Sequence, residues 1–374
     1  MKQTWATQQL KSGPPEVIAM RGISTNIVRG FLTSLLGMLG LGFGLGVSLG
    51  ECAAAGETRP PVAIQFSLDR PIDASAAPFV LAASRGLFGS EGLAVTTNIA
   101  SGSPDGIARV AAGTSDLALV DINELIRFRD KPGARPIKAV FVLFNKAPYA
   151  IMARKSRGIQ ALADIDGKTL GVAEGDLAIR LWPALARQNG IKAASVRQNR
   201  ISAAVREPML SAGQVDAVTG FSYLSGVNLR DRGVPADDLA VLRYADYGCE
   251  AYGFALIVNP AFAAARPEAV KAFLRAVMAG THLAIKDPTR AAEEVVSRMD
   301  GGSRDLELER LHAVIRDNLL TGEVRRNGIG GIDPVRFERS VDQIAEDFKF
   351  QKRPAAADIF DDSFLPDLGD RVIN

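Results

Sequence analysis

Carboxylate side chains follow predicted strands in both halves of this chain, where they could hold a ligand by charge and hydrogen bonding. Asp69 and Asp73 come after the first predicted strand, Val62–Leu68, and Glu174 and Asp176 follow a strand in the second half. Like charges a few ångström apart repel, so four carboxylates would disfavour a sulfonate. A neutral or cationic nitrogen heterocycle, such as a pyrimidine, would donate hydrogen bonds to them. Alternatively, each carboxylate is solvated or caps a helix.

A polar turn, Ser101-Gly102-Ser103, joins a predicted strand to a predicted helix. Backbone N–H groups at a helix start have no partner within the helix, so they can bind an anionic or carbonyl group. We expect Ser103 to be the N-cap, with Pro104 at the first helical position. The alternative is that Ser103 only caps its helix.

Asp121 and Asn123 follow the next predicted strand and are also candidate ligand contacts. An asparagine side chain offers a donor and an acceptor together, which suits the edge of a heterocycle or an amide. Either residue could instead cap the helix that begins here.

Aromatic residues of the second half could sandwich a flat ring. The candidates are Phe221, Tyr223 and Tyr247, which come after predicted strands. Aromatic faces stack on planar ligands, although packing within the core or the hinge is the alternative.

The sequence shows no arrangement typical of a catalytic centre. No Ser/His/Asp set and no metal-ligand spacing is visible, and the two histidines, His282 and His312, are far in sequence from Cys249. We therefore expect that the protein is not an enzyme, uses no cofactor and binds no metal.

Two copies of one pattern must position these residues. Ala112-Gly113 is followed by Asp116 and an apolar run, and Ala212-Gly213 is followed by Asp216 and another. Each copy is typical of strand, helix, glycine stop and strand, which makes a parallel pair in one sheet. Two copies predict two α/β lobes, with a cleft outside the carboxyl ends of their strands. Such lobes can close on a small molecule.

The first 55 residues have the pattern of a secretory signal peptide. Arg21 and Arg29 precede the apolar segment Phe31–Leu49, and Ala53-Ala54-Ala55 follows it. We expect cleavage near Ala55 and a periplasmic protein; a membrane anchor is the alternative. Met20 is the alternative natural start, because residues 1–19 are polar and suit no signal peptide.

Beyond residue 55, we expect two lobes joined by two extended crossings near 147–153 and 252–258. Lobe 1 is predicted to comprise 56–150 and 255–374, including a long set of C-terminal helices, and lobe 2 to comprise 151–254. A net charge of +2, without a basic block, argues against a nucleic-acid partner.

Several short sequence motifs occur along the chain, and their order and spacing together are specific for a family, although each motif alone is weak. They are Ala82-Ala-Ser-Arg-Gly-Leu-Phe88 with Glu91-Gly-Leu93, Ser101-Gly-Ser103, Ala112-Gly113 with Asp116, Leu162 with Ile165-Asp-Gly-Lys168-Thr-Leu-Gly171, Gly213-Gln-Val-Asp216-Ala217, Asp246-Tyr-Gly248 with Tyr252, and Val270-Lys-Ala-Phe-Leu-Arg275-Ala276. Together they resemble the substrate-binding proteins of ABC importers for nitrate, sulfonates, taurine and thiamine-pyrimidine precursors.

This resemblance implies a two-lobed (type II) periplasmic binding protein that is monomeric and delivers its small-molecule ligand to an ABC permease in the inner membrane. The same family includes a thiamine pyrimidine synthase, which consumes its own active-site histidine and a bound pyridoxal phosphate. Where the family often carries that histidine, this chain has Asp73-Ala-Ser-Ala-Ala77, and the Cys-rich motif of the synthase is absent. We therefore expect a binding protein. A synthase-like enzyme, an alkanesulfonate- or taurine-binding protein and an envelope ligand sensor are the alternatives.

Overall fold

The structure, a computed structural model, describes residues 60–373, so the predicted signal segment lies outside the described residues. The strands in this part of the chain are β1 Val62–Leu68, β2 Leu93–Ile99, β3 Leu117–Asp121, β4 Lys138–Val142, β5 Tyr149–Arg154, β6 Thr169–Ala173, β7 Arg197–Ile201, β8 Ala217–Phe221, β9 Leu239–Arg243 and β10 Phe254–Val258.

The helices of the described residues are α1 Ala77–Ser84, α2 Leu87–Ser90, α3 Ser103–Ala112, α4 Ile122–Arg129, α5 Leu177–Gln188, α6 Arg206–Ala212, α7 Ser222–Asp231, α8 Pro260–Ala265, α9 Pro267–Lys286, α10 Pro288–Val296, α11 Arg304–Val314, α12 Gly322–Asn327, α13 Pro334–Phe348, α14 Ala356–Ile359 and α15 Leu368–Arg371. A π-helical turn, Ile315–Leu319, follows α11 directly.

The strands form two five-stranded sheets with the same plan. The first has the order β2-β1-β3-β10-β4 and the second the order β7-β6-β8-β5-β9. In each sheet the first three strands are parallel, and the fourth runs antiparallel to both of its neighbours. We use lobe 1 for the first sheet with the helices packed on it and lobe 2 for the second. The predicted two-lobed α/β fold is confirmed.

The repeated motif explains why the two sheets share this plan. Gly113 and Gly213 end α3 and α6 with φ of 79° and 80°, a left-handed conformation that glycine adopts without steric cost. The aspartate three residues later then pairs with the neighbouring strand. Asp116 Oδ2 accepts from Gln65 N at 2.8 Å, and Asp216 Oδ2 accepts from Thr169 N at 2.7 Å. These side chains therefore set where β3 and β8 begin against β1 and β6.

Each lobe has its own apolar core. In lobe 1, Phe66, Phe79 and Phe273 pack together, which places α1 and α9 on the face of the first sheet. A Cβ on Gly280 of α9 would collide with the Pro78 carbonyl, so glycine allows the close approach of these two helices. In lobe 2 the core surrounds the buried Trp182 of α5.

The chain passes between the sheets twice, at residues 145–148 and 249–253, which we name the first and second crossings. Ala147 N donates to Ala251 O at 3.2 Å, so the two crossings lie side by side. Most of the segments expected to be crossings are instead the strands β5 and β10, because their apolar runs are buried as the fourth strand of each sheet, paired on both sides. The assignment of whole chain segments to each lobe remains a prediction.

The C-terminal helices contact both lobes. Helix α11 packs on α7 of lobe 2 and on α10, while α13 packs on α5 of lobe 2. Within residues 60–373, no helix is long and apolar enough to cross a membrane.

Candidate functional site

A cavity of about 350 Å³ lies between the lobes. It is lined by residues that follow β1, β2 and β6, by the last two residues of β8 and by the first turns of α3, α5 and α6, so it lies at the carboxyl ends of strands from both sheets. A smaller cavity of about 230 Å³ shares Pro104 and Arg180 with it. Of the cavities in the described residues, these two together best match the predicted cleft.

Seven of the twelve predicted contact residues line the larger cavity: Asp69, Ser101, Gly102, Ser103, Glu174, Asp176 and Phe221. The other five, Asp73, Asp121, Asn123, Tyr223 and Tyr247, are outside its lining. Whether any of the twelve contacts a ligand stays a prediction.

The Ser101–Ser103 turn is organised by Asp69. Gly102 has φ of 97° and is the N-cap of α3, and its N–H donates to Asp69 O at 2.9 Å. Ser103 is the first residue of the helix and not the predicted N-cap. Its hydroxyl donates to Asp69 Oδ2 at 3.0 Å and accepts from Asp121 N at 2.9 Å. The buried Ser103 hydroxyl therefore joins the ends of β1 and β3.

Arg70 is the most important lining residue that the sequence analysis missed. Its guanidinium forms two hydrogen bonds with Asp69, at 2.9 and 2.7 Å. It also packs against two aromatic rings, 4.6 Å from the centroid of Phe221 and 4.5 Å from that of Phe254. Burial by itself would lower the pKa of Arg70, but Asp69 and the buried Tyr223 phenol hold it above its ordinary value. Arg70 therefore stays charged and neutralises Asp69.

Asp176 on the opposite wall is also paired. It accepts from Ala178 N at 2.9 Å as the N-cap of α5, and Thr219 donates to it. Arg206 Nη1 lies 3.2 Å from its Oδ2, and both side chains are largely buried. Asp176 is thus committed to a helix cap and a buried ion pair.

Glu174 differs from the other two carboxylates at the cavity. Its side chain is exposed, and among the described residues it has no hydrogen-bond or ion-pair partner. It is consequently the carboxylate of this cavity that is open to a ligand.

An ion pair joins the lobes beside the cavity. Arg180 of α5 donates to Glu124 of α4 at 2.6 Å, and Glu124 is 8% exposed. Arg127 is 3.7 Å from the same Glu124 oxygen. Because α4 belongs to lobe 1 and α5 to lobe 2, this contact spans the mouth of the cleft.

Asp121 and Asn123 lie between the lobes at the hinge. Asp121 caps α4 by accepting from Asn123 N at 2.8 Å, and the hydroxyl of Tyr149, the first residue of β5, donates to it. Asn123 Nδ2 lies 2.9 Å from the carbonyl of Tyr252. Burial raises the pKa of Asp121 to about 7, against the hydrogen bonds that favour its ionised form. These residues tie β3 to both the strand after the first crossing and the second crossing.

The remaining predicted contacts have structural roles nearby. Asp73 accepts from Ser75 N at 2.8 Å and caps a short turn ahead of α1. Tyr223 is fully buried and stacks on Phe221, with ring centroids 6.1 Å apart. Tyr247 is half-buried and packs against the core of lobe 2.

The donor set was tested for the groups that the resemblance implied. No lysine or histidine lies among the described residues that line the larger cavity, so pyridoxal phosphate would find neither an amine nor an imidazole there. Burial raises the pKa of the Cys249 thiol to about 11. Within residues 60–373, no group of three or more His, Cys, Asp or Glu side chains has a geometry that could hold a metal ion. The lining therefore does not fit chemistry that runs through a histidine and pyridoxal phosphate.

Three comparisons describe what the chain is similar to. It is 26% identical over 227 residues to a 4-amino-5-hydroxymethyl-2-methylpyrimidine phosphate synthase of Schizosaccharomyces pombe, covering 59% of this chain and 64% of the relative. It is 28% identical over 223 residues to the riboflavin-binding protein RibY of Chloroflexus aurantiacus, covering 58% and 60%. The periplasmic aliphatic sulphonate binding protein SsuA of Escherichia coli superposes with a TM-score of 0.62 at 15% identity, covering 78% and 95%. The matches thus span less than two thirds of these two curated relatives, and SsuA shows the fold alone.

One expectation is overturned by these relatives. The sequence alone predicts that the protein is not an enzyme, yet several curated relatives at 25–27% identity are named as the pyrimidine phosphate synthase. That expectation rested on the absence of a recognisable catalytic pattern, and a pattern that is not recognised says little about distant relatives.

The family itself is established over most of both sheets. The NMT1/THI5-like family model matches residues 73–291, more than half of the chain, and this range holds every strand of the described residues except β1. The fold, with its cavity between two similar lobes, agrees with that match. This chain belongs to the NMT1/THI5-like family and has the fold of the periplasmic binding proteins.

Proposed function

We propose that this protein binds a small organic molecule in the cavity between its lobes, as the periplasmic solute-binding component of an ABC import system. The observation that carries this proposal is the cavity of about 350 Å³, which takes its walls from the strand ends of both lobes. A ligand that touches both walls favours the closed arrangement, and this is how such proteins capture solutes.

The charges at the cavity refine the class of ligand. Three arginines, Arg70, Arg180 and Arg206, accompany the carboxylates Asp69, Glu174 and Asp176. Because two of these carboxylates are paired with arginine, the repulsion expected for an anionic ligand is largely removed. The first turns of three helices also place partial positive charge at the lining. The cavity therefore tolerates an anionic substituent.

We propose a nitrogen heterocycle as the ligand, such as a pyrimidine or a vitamin precursor. The Phe221 ring offers an aromatic face, and the Glu174 carboxylate offers an acceptor for a ring N–H or amino group. Two relatives bear names that refer to nitrogen heterocycles, a pyrimidine phosphate and riboflavin, which supports this class.

A thermal-shift panel tests the class directly. Pyrimidines, flavin precursors and pyridoxal phosphate are compared with alkanesulfonates, taurine and nitrate, and native mass spectrometry reports stoichiometry. A ligand that binds only the folded protein raises its melting temperature. We expect the heterocycles to stabilise the protein. Stabilisation by sulfonates alone would contradict the proposed class.

An enzyme activity like that named for the curated relatives is a second candidate. The sequence identity across about 59% of this chain favours it. Incubation with pyridoxal phosphate and iron, followed by mass spectrometry of both the protein and the small molecules, tests this candidate. Formation of a pyrimidine phosphate would establish it.

The location and the partner are part of the proposal. The fold neighbours include a periplasmic binding protein and a ligand-binding component of an ABC-type import system, and we propose the same setting here. N-terminal sequencing of the periplasmic protein should begin near Gly56. Intact Phe31–Leu49 in washed membranes would instead indicate an anchor.

A further inference from the structure

Arg336 lies where the two crossings meet. It belongs to the first turn of α13, and its backbone N–H donates to Asp333 Oδ1, the N-cap of that helix, at 3.1 Å. The side chain is only 12% exposed. It lies outside residues 73–291, the part of the chain that matches the family model.

The guanidinium group donates to both crossings at once. On the first crossing it reaches Asn145 O at 2.8 Å and Asn145 Oδ1 at 3.0 Å. On the second crossing it reaches Glu250 O at 3.0 Å and Ala251 O at 3.4 Å. Its centre also lies 4.0 Å from the centroid of the Tyr252 ring. One rigid, planar group therefore contacts the backbone of both connections between the lobes.

Glu323 holds this guanidinium in place. Its Oε2 is 3.0 Å from Arg336 Nη1, while its Oε1 accepts from Asn145 Nδ2 at 2.9 Å and from Tyr252 OH at 2.8 Å. Glu323, the ion-pair partner of Arg336, is thus also bonded to a side chain of each crossing. Hydrogen bonds between charged groups are the stronger class, and partial burial protects them from screening.

The same network continues toward the cleft. Tyr252 accepts through its carbonyl from Asn123, which bonds to Asp121 beside Ser103 of the cavity lining. Helix α13 itself packs on both lobes, with Phe337 against lobe 1 and Ile344 in the core of lobe 2. A change of angle between the lobes requires the crossings to move relative to each other. That movement breaks bonds of Arg336 on at least one side.

We propose that Arg336 sets the angle between the two lobes and is a positioning residue for ligand capture. The inference rests on the proposed binding function for its purpose, while its test uses the ligand-free protein. The C-terminal helices thereby add a hinge restraint to the family fold. Opening of the cleft is then limited by this arginine as well as by the stiffness of the crossings.

Hydrogen exchange and small-angle scattering of the full exported chain test the proposal. In Arg336→Met we expect two amides to exchange at least about tenfold faster: that of Ala147, which donates to Ala251 of the second crossing, and that of Gly253, which donates to Phe144 just before the first crossing. The amides of β3 and β8 should keep their wild-type rates, and the radius of gyration should increase. The matched control is Arg353→Met, since Arg353 bonds to Glu338 and Asp342 of the same helix and is 42% exposed.

Unchanged exchange at both crossing amides in folded Arg336→Met would overturn the proposal. So would equally faster exchange in the strands of both sheets, because that pattern means a general loss of stability. If Arg336→Met does not fold, Arg336→Lys is measured in the same way. Its ammonium keeps the charge toward Glu323 but has no planar fork to serve both crossings, so the crossing amides should again exchange faster. Wild-type rates there would refute the inference. If no compound of the thermal-shift panel binds, while the exchange rates and the radius of gyration change as expected, only the proposed binding function is refuted.

Discussion

The carboxylates at the cavity differ in whether an arginine neutralises them. Asp69 and Asp176 are each paired, with Arg70 and Arg206 respectively, and each also accepts hydrogen bonds from its own lobe. Glu174 is exposed and free of such partners among the described residues. Ligand recognition by charge is therefore expected to centre on one side chain rather than on an acidic rim.

Glu174→Ala should weaken binding of the heterocycle that gives the largest thermal shift by about tenfold or more. A charge-assisted hydrogen bond contributes roughly 1.5–3 kcal/mol, and 1.4 kcal/mol is one decade in Kd. Isothermal calorimetry measures the change. Asp231→Asn, at an exposed position of lobe 2 outside the cavity, should leave Kd unaltered. Equal affinities for wild type and Glu174→Ala, or better sulfonate binding by the variant, would contradict this role.

Asp121 is expected to make stability fall as the pH rises. Burial holds its pKa near 7 in the folded protein, well above the unfolded value of about 4. Between pH 4 and pH 7 the folded state therefore binds the Asp121 proton more tightly than the unfolded state does. The stability that this proton contributes is fully present below pH 4 and is lost as the pH rises through 7. Asp121→Asn should remove this part of the dependence, by about 1 kcal/mol or more between pH 4.5 and 8, in urea denaturation.

Asp238 is the control for Asp121, because its carboxylate makes stability change with pH in the opposite direction. Hydrogen bonds from Ser156 and Arg154 lower the pKa of Asp238 to about 2, so its contribution is present above the unfolded pKa and lost as the pH falls. Asp238→Asn should therefore cost stability at neutral pH and little near pH 2. If Asp121→Asn left the pH profile of the unfolding free energy unchanged, the raised pKa of Asp121 in the folded protein would be contradicted.

At the scale of elements, contacts between helices link the lobes in addition to the two crossings. Helices α4 and α5 meet through Glu124 and Arg180 at the mouth of the cleft, and α13 lies across the crossings on the hinge side. Helices hold side chains in defined rotamers, so contacts between them restrict the angle between lobes more than loop contacts would. The ion pair between Glu124 and Arg180 therefore lies at the mouth of the cleft, and the hydrogen bonds of Arg336 lie at the hinge.

A double-mutant cycle tests the ion pair between Glu124 and Arg180 at the mouth of the cleft. Glu124→Gln and Arg180→Gln are made singly and together, and urea denaturation gives the unfolding free energies. Because Glu124 is largely buried, we expect a coupling energy of about 0.5–3 kcal/mol. The pair Lys271 and Glu268, both exposed in α9, should couple by less than about 1 kcal/mol. Additive effects at Glu124 and Arg180 would mean that the interlobe pair does not form in solution.

At the scale of the whole molecule, two similar sheets, each covered by helices, enclose the cavity of about 350 Å³ between them. Each lobe buries its own apolar residues, whereas the walls of the cavity are mostly polar or glycine. Tyr223 of lobe 2 nevertheless packs in the core of lobe 1, where its ring lies 6.1 Å from that of Phe144. The ligand supplies the additional contacts that favour closure.

Binding should reduce the radius of gyration. Small-angle scattering with and without the heterocycle identified by the thermal-shift panel measures closure in solution. We expect a smaller radius with ligand, and a larger ligand-induced change in Arg336→Met, because the proposed hinge role of Arg336 predicts lobes further apart in that variant. Tight binding with the same radius in both states would argue against a closing cleft.

The sequence by itself determined the two lobes. The periodic apolar runs, the glycine stops and the repeated aspartates are local features, and Asp116 and Asp216 bond within their own sheets. It also placed Ser101, Gly102, Ser103 and Glu174 correctly at strand ends, because parallel strands end at a common edge. The signal segment it predicts lies outside the described residues.

The tertiary structure alone decided which charges are paired and which residues connect the lobes. Arg70 follows Asp69 directly, but its partners Phe221 and Phe254 come from distant parts of the chain. Likewise, Arg336 meets Asn145 and Glu250 only because α13 returns across the hinge. Pairing and burial depend on contacts between residues far apart in sequence, and local patterns carry no information about such contacts.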